Sequence, residues 1–185
     1  MDTLTPKQAE QLGMSKSGLY RATRDGRFER IARGIYRDRN APTADWDWIE
    51  AATRRPEATI CLTSALALYD LTDTIPHTLD IAIPRGSRIP TTEAAIEWHL
   101  FDRQTFDLGR TEIDITGSSL RIGIYSPERC IADAFRMRGA VGYELGRDAL
   151  REWLRRGGKP AHLMEIASRI PRSKGPLLRT LEAIG

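Results

Sequence analysis

Ser17, Tyr20, Arg21 and Arg24 place a hydroxyl, a phenol and two guanidinium groups within eight residues of one another. On a helix of 3.6 residues per turn they fall on one side, and Leu19, Ala22 and Thr23 fall on the other. Such groups recognise rather than react: Arg can chelate guanine, and Ser and Tyr can bond either a base edge or a phosphate. Ser15 and Lys16 precede this stripe, and Arg27, Arg30, Arg33 and Arg37 follow it at intervals of three and four residues. Together these ten residues are the candidate DNA-binding set. On pattern alone, a solvated amphipathic helix explains them equally well. Charge separates the two readings. Residues 1–40 hold nine Lys or Arg against five Asp or Glu, a surplus of four, while the whole chain carries a formal net charge of +3. The basicity is concentrated on the segment whose pattern already suits a groove.

The flanking residues are those needed to aim this stripe. Thr5 is placed to cap a first helix, Pro6 sits at its first position, and Gln8 completes a capping box. Gly13 supplies a left-handed residue to end that helix, and Ser15 is the next N-cap, which gives a helix-turn-helix spacing. Gly26 closes the second helix, Lys16 to Asp25. Two short strands are then predicted at 27–31 and 35–37, joined through Ala32-Arg33-Gly34. The expected N-terminal domain is therefore a winged helix-turn-helix over 1–40.

Asn40 to Thr43 breaks the pattern and leads into a connecting helix within 41–56, from Ala44 to Arg55, which Pro56 stops. Residues 57–185 read as an α+β domain. A buried helix at 63–71, capped by Thr63 or Ser64, precedes strands at 78–83, 95–100, 112–115 and 120–125. Helices then start at Ser126-Pro127 and run over 143–155, 160–169 and 175–184, so a small mixed sheet is flanked by helices. Arg147, Arg151, Arg155 and Arg156 alternate with Glu144, Asp148 and Glu152 at salt-bridge spacing, which reads as a solvated face.

The bulk numbers fit a globular protein of one or two domains: 185 residues, 41% hydrophobic and 29% charged. The longest uncharged run, Ala58 to Tyr69, is too short to span a bilayer. Export or membrane insertion is not expected, and a cytoplasmic protein is. Cys61 and Cys130 read as small buried hydrophobes in a reducing compartment. His77, His99 and His162 are scattered, and no Cys or His pair has ligand spacing, so neither a metal nor a cofactor is expected. No phosphate loop, nucleophile elbow or zinc helix is present in the sequence. Asp80 on one strand and Glu97-Trp98-His99 on a later one are faintly similar to the acidic pair of metal-dependent nucleases. The lysine expected after the second acid is missing, and strand alternation turns both carboxylates outward. The chain is expected not to be an enzyme.

Four blocks then carry a resemblance: Gly26 to Arg37, Leu62 to Leu71, Leu79 to Ile83, and Ser126 to Asp133. Their order along the chain resembles AbiEi-like antitoxins, the transcriptional regulators of AbiE-type toxin-antitoxin systems. The resemblance implies a winged domain that binds the operon's own promoter and a C-terminal domain that serves antitoxicity. It also implies a nucleotidyltransferase-like toxin as partner, with direct contact left open. The alternatives are a winged-helix regulator with a ligand-sensing or oligomerisation domain, and, further off, a DNA-targeted nuclease using Asp80 and Glu97. Ser126, Pro127 and the Arg129–Asp133 pair have a structural reading as cap, first helical residue and ion pair.

Overall fold

A computed structural model describes residues 3–39 and 45–184. The chain divides into two compact units. One gathers Met1–Ala58, Ile89–Ile96 and Glu112–Ile122, and the other gathers Thr59–Arg88, Glu97–Thr111 and Gly123–Gly185.

The first unit begins with β1 (Thr3–Leu4), α1 (Pro6–Gln11) and α2 (Lys16–Arg24). The capping box forms as the sequence predicts: the Thr5 hydroxyl accepts from the Gln8 N–H, and the Gln8 side chain accepts from the Thr5 N–H at 2.8 Å. Gly13 and Gly26 end the two helices at φ +80° and +82°, angles open to glycine without steric cost. An antiparallel hairpin follows, β2 (Phe28–Ala32) and β3 (Ile35–Asp38), with a register shift between Arg30 and Ala32. The two-residue strand β1 pairs with β3, so the sheet order is β1-β3-β2. Leu4, Ala9, Leu19, Phe28 and Tyr36 form the core of this segment, with Met14 and Ala22 packed on it. Leu19 is thus the anchor that turns the rest of α2 outward. Of the connecting helix, α3 (Trp46–Arg54) is formed and buries Ile49, Glu50 and Ala51. The predicted break at 40–43 and Ala44 lie outside the described residues.

The remaining elements are mixed α and β. Five strands, β4 (Thr59–Ile60), β5 (Leu79–Pro84), β6 (Ile96–Phe101), β7 (Arg110–Asp114) and β8 (Arg121–Tyr125), make a sheet of order β6-β5-β4-β8-β7. The central strand was not foreseen. It is two residues long and fully buried, antiparallel to β5 and parallel to β8. Helix α4 (Leu62–Leu68) starts one residue before the predicted Thr63, and neither Thr63 nor Ser64 caps it. Cys61 is the N-cap without a side-chain bond, and the Ser64 hydroxyl instead accepts the Asp80 N–H at 2.8 Å. Helix α5 (Pro127–Arg136) has Ser126 as N-cap and is the most enclosed, packed against α4, α7 (Tyr143–Arg155), α8 (Pro160–Arg169) and α9 (Lys174–Ile184). A four-residue helix, α6 (Arg138–Val141), was also not predicted. Asp133 accepts from Arg129 Nε at 2.7 Å and from Arg136 Nε at 2.9 Å, which puts the expected ion pair inside the core.

Candidate nucleic-acid interface

Helix α2 is fixed at its start by Ser15, whose hydroxyl accepts the Gly18 N–H at 3.1 Å and lies 3.1 Å from the Ser17 hydroxyl. Leu19 is fully buried, and the opposite side carries two parallel stripes. Ser17, Arg21 and Arg24 form one, exposed along its length. Arg21 has no side-chain partner among the described residues, and Arg24 touches only its neighbour Asp25, at 3.9 Å. Lys16, Tyr20 and Thr23 form the other stripe and line a groove of about 800 Å³, completed by Lys7 and Glu10 of α1 and by Arg30, Arg33, Gly34 and Tyr36 of the hairpin. Thr23 therefore faces the groove rather than the core, as the bare helical pattern had it. Its hydroxyl donates back to the Leu19 carbonyl at 2.8 Å, which satisfies it locally. Lys7 was missed as a site residue. Its only signal in the sequence was its charge.

The groove's floor is aromatic. The Tyr20 and Tyr36 rings lie 6.0 Å apart at 51°, and Lys16 Nζ sits 5.9 Å from the Tyr20 centroid. Burial, and then the hydrogen bond with Tyr20, pushes the Tyr36 phenol above its ordinary value. It stays a neutral hydroxyl at any physiological pH. Four cations against the single carboxylate of Glu10 give this concavity a strong positive potential.

The remaining basic residues separate by environment. Arg27 is exposed, with its guanidinium 5.7 Å from the Phe28 ring. Arg30 is exposed and donates from Nε to the Ala32 carbonyl at 3.3 Å. Gly34 has φ +77°, so the turn that holds Arg33 out needs a glycine there. Arg37 does not join the face. Its side chain is 14% exposed, pairs with Glu29 at 3.0 Å, and lies over the Trp46 ring at 4.4 Å. Alternation along β3 turns it inward, where the basic pattern of the sequence had grouped it with the surface arginines.

The hairpin turn is held by residues distant in sequence. The Arg33 N–H donates to Glu93 Oε1 at 2.7 Å, and Arg54 Nη2 donates to the Arg33 carbonyl at 2.9 Å. Glu50, only 3% exposed, accepts the Glu93 N–H at 3.0 Å and the Ala94 N–H at 2.8 Å. A buried carboxylate with two backbone donors is well compensated.

Asp80 and Glu97 have different surroundings. Asp80 is not turned out to solvent: its side chain is 14% exposed, Oδ1 is hydrogen-bonded to His99 Nε2 at 2.8 Å, and Oδ2 accepts the Ser64 N–H at 3.3 Å. Glu97 is exposed, and no group of three His, Cys, Asp or Glu able to hold a metal occurs among the described residues. Cys61 and Cys130 are fully buried, and burial pushes both thiols well above the usual range, away from nucleophilic use.

Residues 1–37, from the start of the chain to Arg37 of β3, match the family described as "Transcriptional regulator, AbiEi antitoxin". No curated protein matches the chain. Among the described residues, no helix is long and apolar enough to cross a membrane.

Proposed function

We propose that this chain is a DNA-binding antitoxin that represses its own toxin-antitoxin operon and is not an enzyme. In this reading, the segment 1–40 is a winged helix-turn-helix domain, with α2 as the reading helix and the β2–β3 hairpin as the wing. The family match over 1–37 supports the regulatory class. The observation that carries DNA binding is the exposed Ser17–Arg21–Arg24 stripe beside a groove lined by Lys7, Lys16, Arg30 and Arg33. A reading helix needs side chains free to meet base edges, and cations on either side of it engage phosphates. Ser15, Lys16, Ser17, Tyr20, Arg21, Arg24, Arg27, Arg30 and Arg33 are the proposed contacts. Residues 41–56 connect this segment to an antitoxicity domain, 57–185, that counters a nucleotidyltransferase-like toxin. The site of action is the cytoplasm, where the operator DNA lies.

The test is binding of the full chain to a duplex from its own promoter, with a scrambled duplex as competitor. Arg21→Ala is expected to weaken specific binding by about 1–3 kcal/mol, the range for a bidentate base contact, without changing the thermal unfolding midpoint. Parent-like binding by both Arg21→Ala and Arg24→Ala rules out α2 as the reader.

A further inference from the structure

The second unit contains a cavity of about 130 Å³ with Arg85, Arg129, Arg136 and Arg172 in its walls, beside Asp102 and Thr105. Ligand pockets for whole small molecules run to roughly 300–1,000 Å³, so this one has room for a single group. Arg129 is 1% exposed. Its Nε donates to Asp133, its Nη1 donates to the carbonyls of Thr105 and Leu108, and its plane lies over the Tyr125 ring at 4.4 Å. Nη2 donates to nothing among the described residues, and Arg129 lines the cavity. Arg136 shares Asp133 through Nε and lies over Phe101 at 4.7 Å.

A core ion pair accounts for Arg129, Arg136 and Asp133. It does not account for Arg85 and Arg172, which are exposed at the rim and have no counter-ion among the described residues. Arg172 moreover has φ +64°, a left-handed angle that any residue with a Cβ disfavours. Four guanidiniums against the carboxylates of Asp102 and Asp133 leave a formal surplus of two positive charges around one small space. Asp102 is held by the Gln104 N–H at 2.9 Å and does not bridge to any of the four. Planar, permanently charged forks lining one small space suit a tetrahedral oxyanion.

We propose that this cavity binds a phosphate dianion, either free or as the terminal group of a small phosphomonoester. The test follows thermal unfolding of the full chain against inorganic phosphate, with chloride at matched ionic strength and adenosine monophosphate as a separate arm. Phosphate is expected to raise the midpoint in a saturable way, as a ligand of the folded state alone does. Arg172→Gly and Arg85→Ala are expected each to lower the apparent affinity about tenfold, the loss of one charge-assisted hydrogen bond. Arg172→Gly, relieved of its left-handed angle, should unfold no earlier than the parent without phosphate. Saturation by the monophosphate with the same arginine dependence identifies a phosphomonoester, and saturation by phosphate alone identifies the free anion. No rise, a non-saturating rise shared by both variants, or full affinity in both variants overturns the proposal.

Discussion

Glu93 accepts the backbone N–H of Arg33 at 2.7 Å, so the tip of the β2–β3 hairpin is tied to a residue sixty positions further along the chain. Glu93 is itself set by Glu50 of α3, which accepts its N–H and that of Ala94. The turn that presents Arg33 is therefore aimed by a buried carboxylate two steps away.

Removing either link should have a different consequence. Glu93→Ala frees the turn while leaving the core intact, so affinity for every duplex should fall by about threefold to tenfold, the worth of one ordinary hydrogen bond. Glu50→Ala removes the shared acceptor of the part-buried Glu93 and Ala94 N–H groups and the ion-pair partner of Arg54, and should cost about 1–3 kcal/mol of folding stability, read by urea denaturation. Equal effects of the two on stability would show that Glu93 is not a dispensable tether.

The groove arginines and the α2 arginines should part company in salt. Arg30→Ala or Arg33→Ala should weaken binding to operator and to scrambled duplex alike, and should reduce the slope of log affinity against log salt by about one unit. A loss confined to the operator would make these residues readers and not anchors.

What the sequence showed was set by neighbours within a few residues. The Thr5–Gln8 box, the glycine ends at Gly13 and Gly26, and the bounds of α7 and α8 all follow from caps and a 3.6-residue period. The rest depends on pairing across long loops. Thr59–Ile60 is too short to show any alternation, and it is a strand only because β5 and β8 flank it. Ser64 looked like a cap but is recruited by Asp80, sixteen residues on, and Arg37 looked like a surface cation but has Trp46 to lie on. Of the candidate DNA-binding residues, the exposed ones on α2 were legible because helix periodicity separates them from Leu19. The placement of Glu93 and Glu50 was not, since no local pattern joins residues 33, 50 and 93.

The buried Arg129–Asp133–Arg136 cluster should be intolerant of losing its one anion. Both Arg129 and Asp133 are 1% exposed, and Asp133→Asn leaves Arg129 charged with a neutral partner. Breaking such a pair costs about 3–5 kcal/mol, which equilibrium unfolding in urea would register as a lower midpoint at unchanged slope. A loss below about 1 kcal/mol would mean that solvent reaches the cluster.

At the end of α7, hydrogen bonds from Arg155 and then Arg156 hold the Glu152 carboxyl down from its ordinary 4.5 to about 2. A depressed carboxyl contributes stability that is present above the unfolded value and is lost as pH falls through the folded one. Thermal midpoints should therefore decline between about pH 4.5 and pH 2 in part through this group. Glu152→Gln should flatten that part of the profile and leave the profile above pH 6 parallel to the parent's. An unchanged acid limb assigns the decline to other carboxylates.

The two proposed activities should come apart by point substitution. Arg21 and Arg24 are exposed and take no part in the core of the first unit, so the Arg21→Ala/Arg24→Ala double variant should accumulate normally. Deleting the N-terminal segment is a poorer test, because Ile89–Ile96 and Glu112–Ile122 cluster with it and would lose their packing partners. With the toxin induced and a promoter reporter alongside, the double variant should lose repression and still rescue growth. Two base contacts at about 1–3 kcal/mol each sum to about 2–6 kcal/mol and lower operator affinity by about thirty-fold to about twenty-thousand-fold, without touching residues 57–185. If rescue is lost at unchanged protein level, antitoxicity depends on DNA binding, and the modular account fails even though the reading helix is correctly placed.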